Sequence, residues 1–274
     1  MNRGFTLVEL VVVLAVIAVL THLAVRELSH VRDTKLAQAA DCQLEEIRAS
    51  VYSRVKGEEA SGFLADMGRM PRLAEDIRTD RLSHAVLTNS TLGELWSMPT
   101  GARPYAVRPA SPENLAPGIA SLADAGVYVP TGWRGPYLRI PFGKTRLLDP
   151  WGNPIEKTDD AGLPRLTISS DGFVESVSHY GPSARASGER RIALAPDGGA
   201  SSRLVVTSSS ATDIAVRWYG PASGMITGAE ETVSASSPAV FEGLSPGRRI
   251  LAFNGTTRIV DVKPGDNLIS IDQP

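Results

Sequence analysis

An α+β fold is predicted, made of a long N-terminal α-helix, a small antiparallel β-sheet head and a small all-β sandwich. Three observations predict it. Residues 5–56 contain no Gly or Pro, and their apolar positions pass from a continuous run to a helical stripe. Runs that alternate apolar and polar residues, two of them parted by Asp171-Gly172, mark hairpin strands further on. Beyond residue 190 the composition shifts to Ser, Thr, Gly and Val with closely spaced turns.

The first element is the most explicit. From Phe5 to Val25 the chain reads FTLVELVVVLAVIAVLTHLAV, 21 residues with one carboxylate and no Lys or Arg. As a helix this run spans about 31 Å, the thickness of a bilayer's hydrocarbon core. It is longer than the apolar core of a secretory signal, and no small-residue cleavage site follows it. A plain anchor leaves Glu9 unexplained, because a carboxylate that deep costs about 2–3 kcal/mol and calls for a partner. Beyond the span, Leu28, Val31, Leu36, Ala39, Ala40, Leu44, Ile47, Val51 and Val55 recur at helical spacing. The first half of this rod is expected to pack against other copies and the second against the head. Cys42 reads as a small packing residue on it.

Composition narrows the function. A net charge of -2, with no run of five basic residues, gives no reason to expect a nucleic-acid partner. The single cysteine excludes an internal disulfide, and His22, His30, His84 and His179 show no metal-binding spacing. There is no G-x-S-x-G elbow or phosphate loop, so no catalytic or cofactor-binding residues and no enzymatic activity are expected.

The string RGFTLVEL, Gly4 then Phe5 with Glu9 four residues on, resembles the processing site of type IV pilins and type II secretion pseudopilins. The resemblance implies a prepilin cut between Gly4 and Phe5 by a membrane prepilin peptidase/methyltransferase, with Phe5 then N-methylated. Glu9 becomes the counter-ion of a neighbouring subunit's terminal amine. Implied partners are other copies, other prepilins and an inner-membrane assembly platform. The implied location is the bacterial inner membrane, single-pass, with the N-terminus cytoplasmic and the head periplasmic, and afterwards a periplasmic or cell-surface filament. Where many relatives carry a helix-kinking proline beyond the membrane, this chain has Arg26.

Residues 1–4 thus form a leader, 5–57 the filament helix with 5–25 in the membrane, and 58–180 the head. In the head, Pro71 opens an amphipathic helix with Leu73, Ile77, Leu82 and Val86 on one face. A proline-rich stretch follows, with a short helix from Ile119 to Ala125. The strings GPYL (135–138), DPWGNP (149–154) and SDG (170–172) resemble the C-terminal half of the major pseudopilin of type II secretion. Taken by its residues, DPWGNP is structural: Asp149 and Asn153 form turns before prolines, and Trp151 is an apolar plug. The resemblance implies instead a structural calcium near Asp171. The acidic cluster expected after Asp171-Gly172 is replaced by Phe173, Val174, Glu175 and Ser176, leaving Asp171, Glu175, Asp159 and Asp160 as candidate oxygens.

Residues 181–190 lack apolar side chains and read as a linker, and 191–274 as the sandwich. Seven strands are expected there: RIALA, RLVVTSS, DIAVRWYG, AVFEGL, RRILAFNG, TRIVDV and NLISID. Trp218 and Tyr219 are adjacent, so they face opposite sides of one strand, with at most one exposed. The FEGLSPGRR stretch resembles a loop of carboxypeptidase-regulatory-like or PEGA-type sandwiches. Head and sandwich are expected to unfold separately. The function expected is a structural subunit polymerising into a type II secretion pseudopilus or type IV pilus-like filament. The alternative is an adhesin or partner-binding module displayed on one.

Overall fold

The computed structural model describes residues 7–54, 60–72, 92–99, 101–140, 147–155, 165–168, 173–177, 190–197 and 200–272. Gly4, Phe5, Asp171, the expected helix beyond Arg72 and all of the expected linker but Arg190 lie outside the described residues.

One helix, α1 (Leu7–Val51), accounts for the first 45 described residues and is about 68 Å long. It ends at Val51, short of the expected bound at residue 57. There the backbone leaves the helix, and Ser53 and Ser61 exchange N–H···O bonds of 2.9 and 2.8 Å. Only its last third is covered. Ala40, Leu44, Ile47 and Val51, spaced four, three and four residues apart, are buried on one face. Leu28, Val31 and Ala39, expected on the same stripe, are exposed: Leu28 and Val31 lie beyond the described part of the head, and Ala39, beside the buried Ala40, points off the covered face. Cys42 is also exposed, which corrects its expected packing role: it lies off the 40/44/47/51 face.

The buried face of α1 meets α2 (Phe63–Met67), through Phe63, Leu64 and Met67, and a three-stranded antiparallel sheet. That sheet runs in the order β3 (Arg165–Ile168), β4 (Phe173–Val177), β5 (Arg191–Ala193). Its residues Leu166, Val174 and Ile192 join Leu92, Leu95, Leu138 and Leu194 in one core. Each such side chain contributes roughly 1.5–3 kcal/mol by leaving water. The expected boundary at 190 is therefore not a break in packing. Arg191–Ala193 was expected to open the sandwich, yet β5 pairs with β4, where Val174 faces Ile192.

Two further sheets form the C-terminal part. One has the order β11 (Thr256–Val262), β10 (Gly247–Phe253), β7 (Ile214–Ala222), β8 (Met225–Val233). The other has the order β12 (Gly265–Ser270), β6 (Ser202–Thr207), β9 (Ala239–Leu244). Pairing is antiparallel except between β12 and β6. Both sheets contribute to one cluster, including Leu204, Val206, Val216, Phe241, Leu251 and Val262. Of the seven expected strands, the first belongs to the head sheet, and β8 stands in its place. Its segment MITGAEETV carries a glycine and two adjacent glutamates, so it does not read as an apolar run.

The second face of the β7 sheet is covered as well. The proline-rich stretch forms a hairpin of β1 (Ala106–Ala110) and β2 (Asp124–Thr131), bulged between Pro109 and Ala110. The short helix expected at 119–125 shrinks to a single 3-10 turn, Ala120–Leu122, because Asp124 already pairs with Ala110. Ala110, Leu115, Val127 and Val129 from this region pack with Tyr219, Ile226, Ile250 and Ala252 of the C-terminal sheet. Trp218 and Tyr219 thus do face opposite sides, but each side is a core. Trp218 lies edge-on to Phe241, centroids 6.5 Å apart, whereas the Tyr219 hydroxyl donates to the Leu122 carbonyl at 2.8 Å. Backbone bonds stitch the same seam, from Ala116 N to Ile226 O at 2.7 Å and from Ser223 N to Met67 O at 2.7 Å.

Candidate functional site

The functional candidate is the uncovered part of α1. Every large aliphatic side chain from Leu7 to Val25 is 46–79% exposed, on all sides of the helix. A helix apolar all round is stable where apolar surroundings replace water. The helix is long and apolar enough to cross a membrane, and none of its most apolar window is buried within the protein. The Thr21 hydroxyl is satisfied internally, donating to the Ile17 carbonyl at 2.7 Å, and Ser29 does the same to Val25 at 3.0 Å. Glu9 stands in the first turn, where a carboxylate complements the positive end of the helix dipole.

Between Val25 and the first buried residue, Ala40, lie 14 residues, or about 21 Å, of which Leu36 is half-buried and the other described side chains are exposed. Arg26, Glu27, Arg32, Asp33 and Lys35 lie on this stretch and carry both signs of charge. The head is therefore held clear of the span by a polar stalk.

Residues 1–25 match the family described as the prokaryotic N-terminal methylation motif. That motif supports a type IV pilin-like prepilin subunit. It implies processing by a prepilin peptidase and assembly into filaments of pilin copies, and it points to a structural subunit rather than an enzyme. A membrane-anchored pilin also fits the near-N-terminal apolar helix. No curated protein and no solved structure matches the chain.

The remaining sequence candidates lie elsewhere. DPWGNP forms a turn around Asp149, whose buried carboxylate takes four hydrogen bonds. Oδ1 accepts from Trp151 N at 3.0 Å and Asn153 N at 2.7 Å, and Oδ2 from Asn153 Nδ2 at 3.2 Å and Leu166 N at 3.0 Å. The last bond ties the turn to β3. Trp151 packs half-buried against the head core, as the structural reading requires. Among the described residues no group of three His, Cys, Asp or Glu side chains could hold a metal, and Asp171 is outside them.

Three buried charges escaped sequence reasoning. Glu94 is held by Arg69 through a forked pair at 2.7 and 2.9 Å. Arg249 lies fully buried between the C-terminal sheets, its guanidinium bonded to the Ser245 and Arg248 carbonyls, with burial pushing its pKa down to about 10. Room for it comes from Gly220 opposite, where a Cβ would lie 2.4 Å from the arginine stem. Asp66 on α2 bonds Tyr137 and Arg134. In each case the partner is remote in sequence or is backbone, so no spacing announces it.

Proposed function

We propose that the chain is a structural prepilin, cut between Gly4 and Phe5, methylated on the Phe5 amine and polymerised through α1. The product is a type II secretion pseudopilus or a type IV pilus-like filament. The single observation that carries this reading is the span Leu7–Val25, whose large aliphatic side chains are exposed on every side with no covering from the described residues. In the membrane lipid covers it; in a filament the same surface is covered by neighbouring copies. Apolar packing sets register poorly once lipid is the alternative, since leucine gains little by leaving lipid for leucine. A charge pair between Glu9 and a neighbour's terminal ammonium supplies the register, because an unpaired charge there costs several kcal/mol.

The partners proposed are other copies, other prepilins, the prepilin peptidase/methyltransferase and an inner-membrane assembly platform. The proposed topology has the leader in the cytoplasm and the head in the periplasm. N-terminal mass analysis of membrane-extracted protein tests the processing step. A mature chain beginning at Phe5 with one added methyl is expected; a retained Met1, or a cut near Ala24, would overturn the reading.

A further inference from the structure

The helix-bearing part and the C-terminal sheets meet at α2, and a buried acid sits in that joint. α2 packs on α1 through Phe63, Leu64 and Met67, and on β7 and β10 across the joint. The approach is close: Gly68, at φ 70°, lies where a Cβ would come within 1.8 Å of the Pro221 carbonyl oxygen. Met67 O accepts from Ser223 N, and Asp66 O from Gly132 N at 3.4 Å.

The Asp66 side chain is 6% exposed. It faces a cavity of about 20 Å³ walled by Ala60, Ala65, Tyr105, Pro130, Arg134 and Arg248, room for about one water. The charged groups around it come from three elements. Arg134, beyond β2, pairs with Oδ1 at 3.2 Å and stacks on Tyr105 at 4.1 Å. Tyr137 donates to Oδ2 at 3.1 Å while its oxygen accepts from Arg134 N at 2.9 Å. Arg248 of β10 lines the cavity, and Arg249, next in sequence, is turned toward Gly220 and Ser245. Arg69, on the far side of α2, is engaged with Glu94. Among the described residues the carboxylate's ionic partner is Arg134, whose side chain is 52% exposed, so water screens most of its attraction.

We propose that Asp66 is a proton-operated clasp: with the proton on, α2 holds the C-terminal sheets tightly, and with the proton off the joint loosens. The cause is the cost of taking an ionised carboxylate out of water beside a counter-charge that is itself half in solvent. Burial pushes the Asp66 pKa up to about 6, against the opposing pull of Arg134 and the Tyr137 hydroxyl. The folded state therefore binds this proton more tightly than the unfolded chain does. Its contribution is fully present below the unfolded value of 3.8 and is lost as pH rises through about 6. Between pH 7.5 and pH 5 the opening equilibrium shifts about tenfold toward the closed joint.

Hydrogen exchange of the full chain in lipid nanodiscs, read as protection factors on peptides spanning Ser223 and Ile226, tests the clasp. Wild type is expected to gain about tenfold protection at pH 5 over pH 7.5, and Asp66→Asn to gain less than about twofold. Arg134→Gln retains the acid and removes its counter-charge, so its gain should exceed that of wild type. Equal pH dependence in wild type and Asp66→Asn overturns the clasp. If Asp66→Asn does not fold, a gain in Arg134→Gln no larger than wild type overturns it instead.

Discussion

Replacing Asp149 by alanine should be among the most damaging single changes in the head. The carboxylate is 5% exposed and gathers three backbone N–H groups and one side-chain amide within 3.2 Å. Alanine leaves the Trp151, Asn153 and Leu166 N–H groups without this acceptor; a buried orphan such as Leu166 N–H costs about 1–3 kcal/mol, and the two half-buried ones somewhat less. The vacated space admits water, which restores part of this. The net loss is about 3–5 kcal/mol, or about 8–15 °C in Tm for a protein of this size. Asp149→Asn keeps one oxygen for the Trp151 and Asn153 N–H groups, but its amide meets a donor at Leu166 or at Asn153, so about 2–3 kcal/mol should go. Urea denaturation of residues 27–274, followed by tryptophan fluorescence, measures both. An alanine variant within about 1 kcal/mol of wild type, or an asparagine variant worse than alanine, would refute the view that this carboxylate organises the turn.

Two other outcomes follow from the packing and from the span. Residues 30–274 should unfold in a single calorimetric transition, and residues 30–190 alone should lack a cooperative one, because deletion strips β5 from its sheet and uncovers Ala110, Leu115, Val127 and Val129; two separable transitions would mean the seam contributes little. Glu9→Val should insert and be processed normally yet co-assemble poorly with wild-type subunits, each copy leaving an ammonium unpaired at a cost of a few kcal/mol; normal incorporation, scored by immunoblot of sheared filaments, would show that Glu9 does not set register.

The helix and the strands were legible wherever one residue's chemistry decided its own surroundings. A Gly- and Pro-free apolar run of membrane length satisfies its backbone as a helix, and the strands β6, β7, β9, β10 and β11 fell on runs holding β-branched or aromatic residues. Strands β1, β2 and β8 were not expected: β1 lies in the proline-rich stretch and pairs with β2, and β8, interrupted by a glycine and two adjacent glutamates, pairs with β7 over its whole length. The short helix at 119–125 failed for a related reason, since pairing of Asp124 with Ala110 pulls that end of the segment into a strand.

The membrane-length apolar helix, its single carboxylate Glu9 and the Gly4-Phe5 string are local features, legible residue by residue. How the remainder is joined depends on contacts between distant segments. Composition suggested a polar linker and a separate sandwich, but β5 crosses the expected boundary into the head sheet, and the β1–β2 hairpin covers the outer face of β7 and β10. A strand's own pattern shows that Tyr219 and Trp218 point to opposite sides; it does not show that something 97 residues away covers one of them. Asp66, Arg249 and the bond from Leu166 N to Asp149 belong to the same class. A buried charge is stable only through partners that folding brings to it, and those partners are carbonyls, amides and distant side chains that leave no spacing in the sequence.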